Sequence, residues 1–163
     1  VGRPGLRFVL AGQGAARARL EQEAQGLPNI VWLPLQPLHL LNSLLNAADI
    51  HVLPQRADAA DLVMPSKLTG MLASGRATVG TAAAGTQLGQ VLDEAGVRVD
   101  PGDAPGLAAA LQSLATDPAR RNLLGQRARA YAEQHLAQDA IMRRFEAQLQ
   151  QLAAAGPAAR SSP

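Results

Sequence analysis

The 163-residue sequence contains no cysteine, which excludes a disulfide framework and every thiolate zinc site. Aromatic residues supply only 2% of it, too few for a base-stacking platform or an aromatic sugar-binding groove. No apolar run approaches the roughly 20 residues needed to span a bilayer. The opening "VGRPGLRFVLAG" lacks the basic, apolar and small-residue regions of a secretory signal. An excess of charge of one sign is absent too, because the net charge is +2 and the arginines are scattered among acids. These absences predict a cytoplasmic chain that binds no nucleic acid and needs no metal. One more scarcity is local: Lys67 is the single lysine among 15 basic residues.

What is present suffices for one globular domain, since 47% of the residues are hydrophobic. With so few aromatics, the core has to be built from Leu, Val and Ala. Short apolar runs, "LRFVLAG", "NIVWLP", "DIHVLP", "ATVGT" and "VRVD", read as strands covered on both faces. Between them "AARARLEQEAQG", "PLHLLNSLLNAA", "PSKLTGMLASG" and "TQLGQVLDEAG" carry apolar residues at helical spacing, and three of these end in a glycine suited to a helix C-terminus. Alternation of this kind predicts an α/β fold with a Rossmann-like parallel sheet and flanking helices. From Asp103 onward the pattern is helical only, with Asp117 and Pro118 marking a new helix start. The expected division is a domain over 1–152 and a disordered Ala/Pro/Ser-rich tail over 153–163.

In a doubly wound sheet, chemistry belongs to the loops at the carboxyl ends of the strands. "AGQGAAR" after the first strand has Gly12 and Gly14, but Arg17 stands where a dinucleotide fingerprint needs a small residue, so a tight turn accounts for both glycines. The loop after "DIHVLP" is long and polar and runs into Pro65. Proline at the first helical position has no N–H, which leaves the amides of Ser66, Lys67 and Leu68 free to meet an anion. A lysine in the first turn opposes the helix dipole, and a bound phosphate would offset that cost. Leu68, Met71, Leu72 and Gly75 are expected to face the sheet, and Lys67, Gly70 and Ser74 to form a stripe open to a ligand.

Other candidates carry less. His39, His51 and His135 have no partner at ligand spacing and read as structural or solvated. Asp58 and Asp61 can do acid–base work or simply solvate the loop. Ser43, Ser66 and Ser74 lack the G-x-S-x-G setting of a nucleophile. Arg120 and Arg121 read as surface residues.

The ordered string "PSKLTGMLASGRATVGT", then "VRVDPGDAPGLAAALQSLATDPARRNLLGQRAR", resembles the C-terminal, donor-binding domain of GT-B glycosyltransferases of family 4. Within that family, "DIHVLPQRADAADLVMPSKLTGMLASG" is similar to the colanic-acid, exopolysaccharide branch. The resemblance runs from about Leu6 to Leu152. It implies a nucleotide-diphosphate sugar as donor, with no metal or other cofactor. It further implies a diphosphate at Pro65, Ser66, Lys67 and Leu68, base contacts from Leu33, Pro34 and Leu35, and a saccharide or lipid-linked acceptor. Peripheral membrane association, at the inner face of the membrane, would belong to the full-length enzyme only.

The departures from the family are specific. Its two glutamates, one addressing the donor sugar and one the ribose, fall here at Leu62 and Gly70. Asp61, one residue away, becomes the candidate for the sugar contact, with Lys67 as the other catalytic candidate and Gly70 leaving room for a ribose. The domain's first strand and the acceptor-binding domain before it are missing, so the chain reads as a fragment that is inactive alone. In the order 3-2-1-4-5-6 the missing strand is central. The expectation is therefore a sheet that either closes over the gap or keeps an unpaired edge. The alternatives are a non-catalytic nucleotide-binding or interaction module, and a sugar-nucleotide epimerase of the same fold.

Overall fold

The computed structural model describes residues 5–56 and 64–154, and side chains within these up to Ala153. Its first elements are β1 (Phe8–Ala11), α1 (Arg17–Glu23), β2 (Ile30–Leu33), α2 (Leu38–Asn46) and β3 (Ile50–Leu53). They are followed by α3 (Ser66–Ala73), β4 (Ala77–Thr81), α4 (Gln87–Ala95) and β5 (Val97–Val99). Helices α5 (Ala104–Thr116), α6 (Pro118–Tyr131) and α7 (Gln138–Ala154) complete the order, with a π-helical turn at Ala132–Leu136 before α7. Each predicted strand and helix is present. The last helix runs two residues past the predicted boundary, and the rest of the predicted tail, 155–163, lies outside the described residues.

All pairings are parallel, but the strands form two sheets: β1 with β2, and β3-β4-β5. Of the two expected outcomes, the unpaired edge is the one found among the described residues. The division falls between β1 and β3. Burial is uneven, although Phe8 of β1 packs against the core of the larger sheet. Strand β4 is buried along its whole length, whereas no residue between Gly5 and Ile50 is buried.

The three-stranded sheet has a core on each face. On one side Leu53 meets Leu68 and Leu72 of α3, Val91 and Leu92 of α4, and Ala128 of α6. On the other, Val79 and Val99 meet Leu111 and Leu114 of α5 and Leu124 of α6. The glycines predicted to end helices behave differently from one another. Gly26 and Gly75 adopt positive φ, as a left-handed helix terminus requires, but Gly96 does not. A Cβ on Gly96 would lie 2.7 Å from the Thr78 carbonyl oxygen, so glycine there serves close backbone approach.

The surplus of arginine has a structural cause. Arg17 donates to the carbonyls of Gly12 and Leu33, Arg76 to Asn46, Arg121 to Leu114 and Ala115, and Arg129 to Ala73. Most of these acceptors stand at helix ends, where carbonyls have no partner within the helix. A planar guanidinium with five donors bridges such groups, and a single ammonium does so less well. Arg121, predicted to be a surface residue, is thus a half-buried tether for the end of α5.

Candidate functional site

Helix α3 begins at Ser66, and Pro65 occupies the N-cap with φ −61° and ψ 120°. Proline therefore stands one position earlier than the sequence pattern predicts. The Leu68 amide donates to the Pro65 carbonyl at 3.0 Å and is not available to a ligand. The amides of Ser66 and Lys67 remain, pointing out of the positive end of the helix. The Lys67 side chain is exposed and makes no ion pair among the described residues, in contrast to Arg17, Arg98 and Arg129, which all do. The rest of α3 is held from behind, with Leu68 2% exposed and Leu72 fully buried.

The predicted ligand stripe survives only in this first turn. A Cβ on Gly70 would lie 3.1 Å from a methyl of Leu45, so α2 borders the space that the glycine leaves. Ser74, at the end of the stripe, turns inward. Its hydroxyl donates to the Met71 carbonyl at 2.6 Å and stands 3.0 Å from His51 Nε2. With the hydroxyl proton committed to Met71, His51 Nε2 must be the donor, which assigns the neutral tautomer. Burial, and then the Arg76 charge, hold the His51 pKa below its ordinary value. His51 is thus structural, as expected. His135 lies against the Tyr131 ring, centroids 4.5 Å apart, and His39 is exposed.

A polar cleft opens where the carboxyl ends of β3 and β4 meet the start of α4, bordered by Gln55, Met64, Thr81, Thr86 and Gln87. Thr86 is the N-cap of α4, accepting from the Gly89 amide at 3.0 Å and donating to the Ala83 carbonyl at 2.8 Å. Thr81 binds the main chain of Gln55 through both its donor and its acceptor. No sequence motif pointed to this cleft; the one available signal was its place at the ends of parallel strands. Asp58, Asp61 and Leu62 lie outside the described residues, so the structure gives Asp61 no position relative to Lys67.

At the other sheet, the loop proposed for a nucleobase is Leu33, Pro34 and Leu35. The Leu33 carbonyl already accepts from the Gly12 amide at 3.2 Å and from Arg17 Nη1 at 2.9 Å. The Pro34 carbonyl accepts from Gln36 Nε2 at 3.0 Å. Leu35 is exposed at 69% and is the least committed member of the three. Among the described residues no group of three His, Cys, Asp or Glu could hold a metal ion, and no helix is long and apolar enough to cross a membrane.

Residues 2–117 match the family model described as glycosyl transferases group 1. Over 145 residues the chain is 39% identical to WcaI of Escherichia coli (strain K12), whose name assigns it as a glycosyl transferase of colanic acid biosynthesis; the match covers 86% of this chain and 35% of that protein. Among solved structures, the sucrose-phosphate synthase of Thermosynechococcus elongatus is similar with a TM-score of 0.72 and 26% identity, over 93% of this chain and 39% of that one. Anabaena Alr3699/HepE in complex with UDP-glucose shares the fold, with a TM-score of 0.72 and 17% identity, over 91% of this chain and 42% of that one. The chain thus spans between about a third and two fifths of the length of these proteins.

Proposed function

This chain belongs to the group 1 glycosyl transferases, and we propose that it is their donor-binding part, holding a nucleotide-diphosphate sugar by its phosphates at the start of α3. The observation that carries this reading is the pairing of two uncommitted amides, Ser66 and Lys67, with the chain's one lysine, whose charge has no partner among the described residues. Departure of a nucleoside diphosphate builds negative charge on the leaving oxygens. Fixed amides at a helix start and an ammonium can stabilise it without a metal. The neighbour that holds UDP-glucose makes the uridine nucleotides the first ligands to try.

The remaining assignments are proposals of the same kind. Asp61 is assigned to the donor sugar on sequence alone. Base contact falls to the main chain around Leu35, since the Leu33 and Pro34 carbonyls are already engaged. The acceptor, a saccharide carried on lipid in exopolysaccharide synthesis at the inner membrane face, is suggested by the name of the WcaI relative. It would be bound by parts of the protein that this chain does not span.

The test is a titration of the chain with UDP. Binding is expected to be weak and saturable, and Lys67→Ala is expected to cost about 1–3 kcal/mol, the range for a charged hydrogen bond. Equal affinity in both proteins would refute the phosphate site.

A further inference from the structure

We infer that Thr81 is a positioning residue for the donor sugar, acting through Gln55; this rests on the reading of the α3 start as the diphosphate site. Strand β3 pairs with β4 in register from Ile50 opposite Ala77 to Leu53 opposite Gly80. The next residue, Pro54, has no N–H to give to the ladder, and pairing through the main chain stops. Thr81 then replaces it. Its hydroxyl accepts from the Gln55 amide at 2.6 Å and donates to the Gln55 carbonyl at 2.7 Å.

A residue held by one hydrogen bond can pivot about it. Gln55 is held at both its amide and its carbonyl by one atom, which fixes its orientation as well as its place. Thr81 is itself 6% exposed on a strand buried throughout, so the anchor is rigid. Gln55 is therefore a fixed point just past the end of β3. Met64, two residues before Ser66 in the chain, is the next residue that matters.

Gln55, Met64 and Thr81 border the same cleft. Two residues of extended chain span at most about 7 Å, so Ser66 lies no farther than that from Met64 on the cleft's border, and this cleft is assigned to the sugar of a donor whose phosphate sits at Ser66. The ligand class is a polyhydroxylated sugar ring. Thr81 is not assigned a direct contact with it, because the hydroxyl's one proton is committed to the Gln55 carbonyl and the residue is 6% exposed.

The experiment compares wild type, Thr81→Ser and Thr81→Val by calorimetric titration with UDP and with UDP-glucose, and by hydrogen exchange at the Gln55 amide. Valine keeps the branched shape and removes both bonds, whereas serine keeps the hydroxyl. Wild type and Thr81→Ser are expected to prefer UDP-glucose and to protect the Gln55 amide. Thr81→Val is expected to keep its UDP affinity, to lose about tenfold in that preference, and to exchange faster at Gln55. A general loss of stability would not move the ratio of the two affinities.

An unchanged preference in Thr81→Val overturns the inference, as does a wild type without any preference or a serine variant no better than the valine one. Should Thr81→Val fail to fold, rapid exchange of the Gln55 amide in the wild type would still overturn it, and protection there with preference retained in Thr81→Ala would do the same. Absence of UDP binding by the wild type is a different result, and overturns the diphosphate reading itself.

Discussion

Gly125 of α6 lies directly against the carbonyl of Gly75, the residue that turns the chain from α3 into β4; a Cβ at Gly125 would collide with that oxygen. Gly75 has φ 68°, and its own Cβ position would find the Arg129 side chain at 3.7 Å. Helix α6 therefore touches the end of α3 backbone to backbone, and Arg129 closes the contact by donating to the Ala73 carbonyl at 2.6 Å. Because α3 carries the proposed phosphate site at its other end, this contact helps set where that site sits.

Gly125→Ala should accordingly destabilise the chain by about 1–3 kcal/mol, the usual cost of forcing a methyl into a packed contact. Urea unfolding measures it. Gly102→Ala makes the contrast, since a Cβ there meets nothing within 4 Å and only its positive φ opposes the change. A smaller loss is expected at Gly102 than at Gly125.

Arg17 ties together a part of the molecule that has no buried residue. It joins Gly12, Leu33 and Glu21, and its guanidinium lies 5.8 Å from the centre of the Trp32 ring. Arg17→Leu should lower stability by about 1–3 kcal/mol, and Arg17→Lys should recover less than half of this because an ammonium cannot bridge both carbonyls. Trp32 is the single tryptophan, so its fluorescence reports this region alone. The fluorescence transition is expected at lower urea than the far-UV circular dichroism transition, as shallow burial implies.

His51 gives the fold a pH dependence of definite sign. Its folded pKa lies below the ordinary 6.5, so the unfolded chain takes up the proton first. The stability contributed by neutral His51 is present above pH 6.5 and is lost as pH falls through the lower folded value. The melting temperature of the wild type should drop between pH 7.5 and pH 5 more steeply than that of His51→Gln, whose side chain does not titrate. Parallel slopes would count against the assignment.

Asp117 ends α5 and begins α6, accepting from the Arg120 amide at 2.8 Å. Asp117→Ala should cost about 1 kcal/mol, and Asp117→Asn or Ser much less, since either can still accept at an N-cap. Chemical denaturation separates these variants.

Local structure and the place of the charge were legible in the residues themselves. Apolar runs separated by helical periodicity located the five described strands and the helices between them, although the cover on both faces that those runs predict is complete only at β4, and β1 and β2 have no buried residue. Pro65 and Lys67 marked the start of α3 because a missing N–H and a misplaced cation are properties of the residues themselves. Tertiary structure decided what those residues face. Gly70 reads as an opening, and Leu45, 25 positions earlier in the chain, borders it. Ser74 reads as part of a ligand stripe, yet it closes a bond with His51. Arg17 and Arg121 read as a spoiled motif and a surface charge, yet each holds carbonyls left without partners at the ends of elements. Contacts of this kind join residues far apart in the chain, and no local spacing encodes them. The separation of β1 and β2 from the other strands has the same origin, since hydrogen bonding between strands depends on which edge lies beside which.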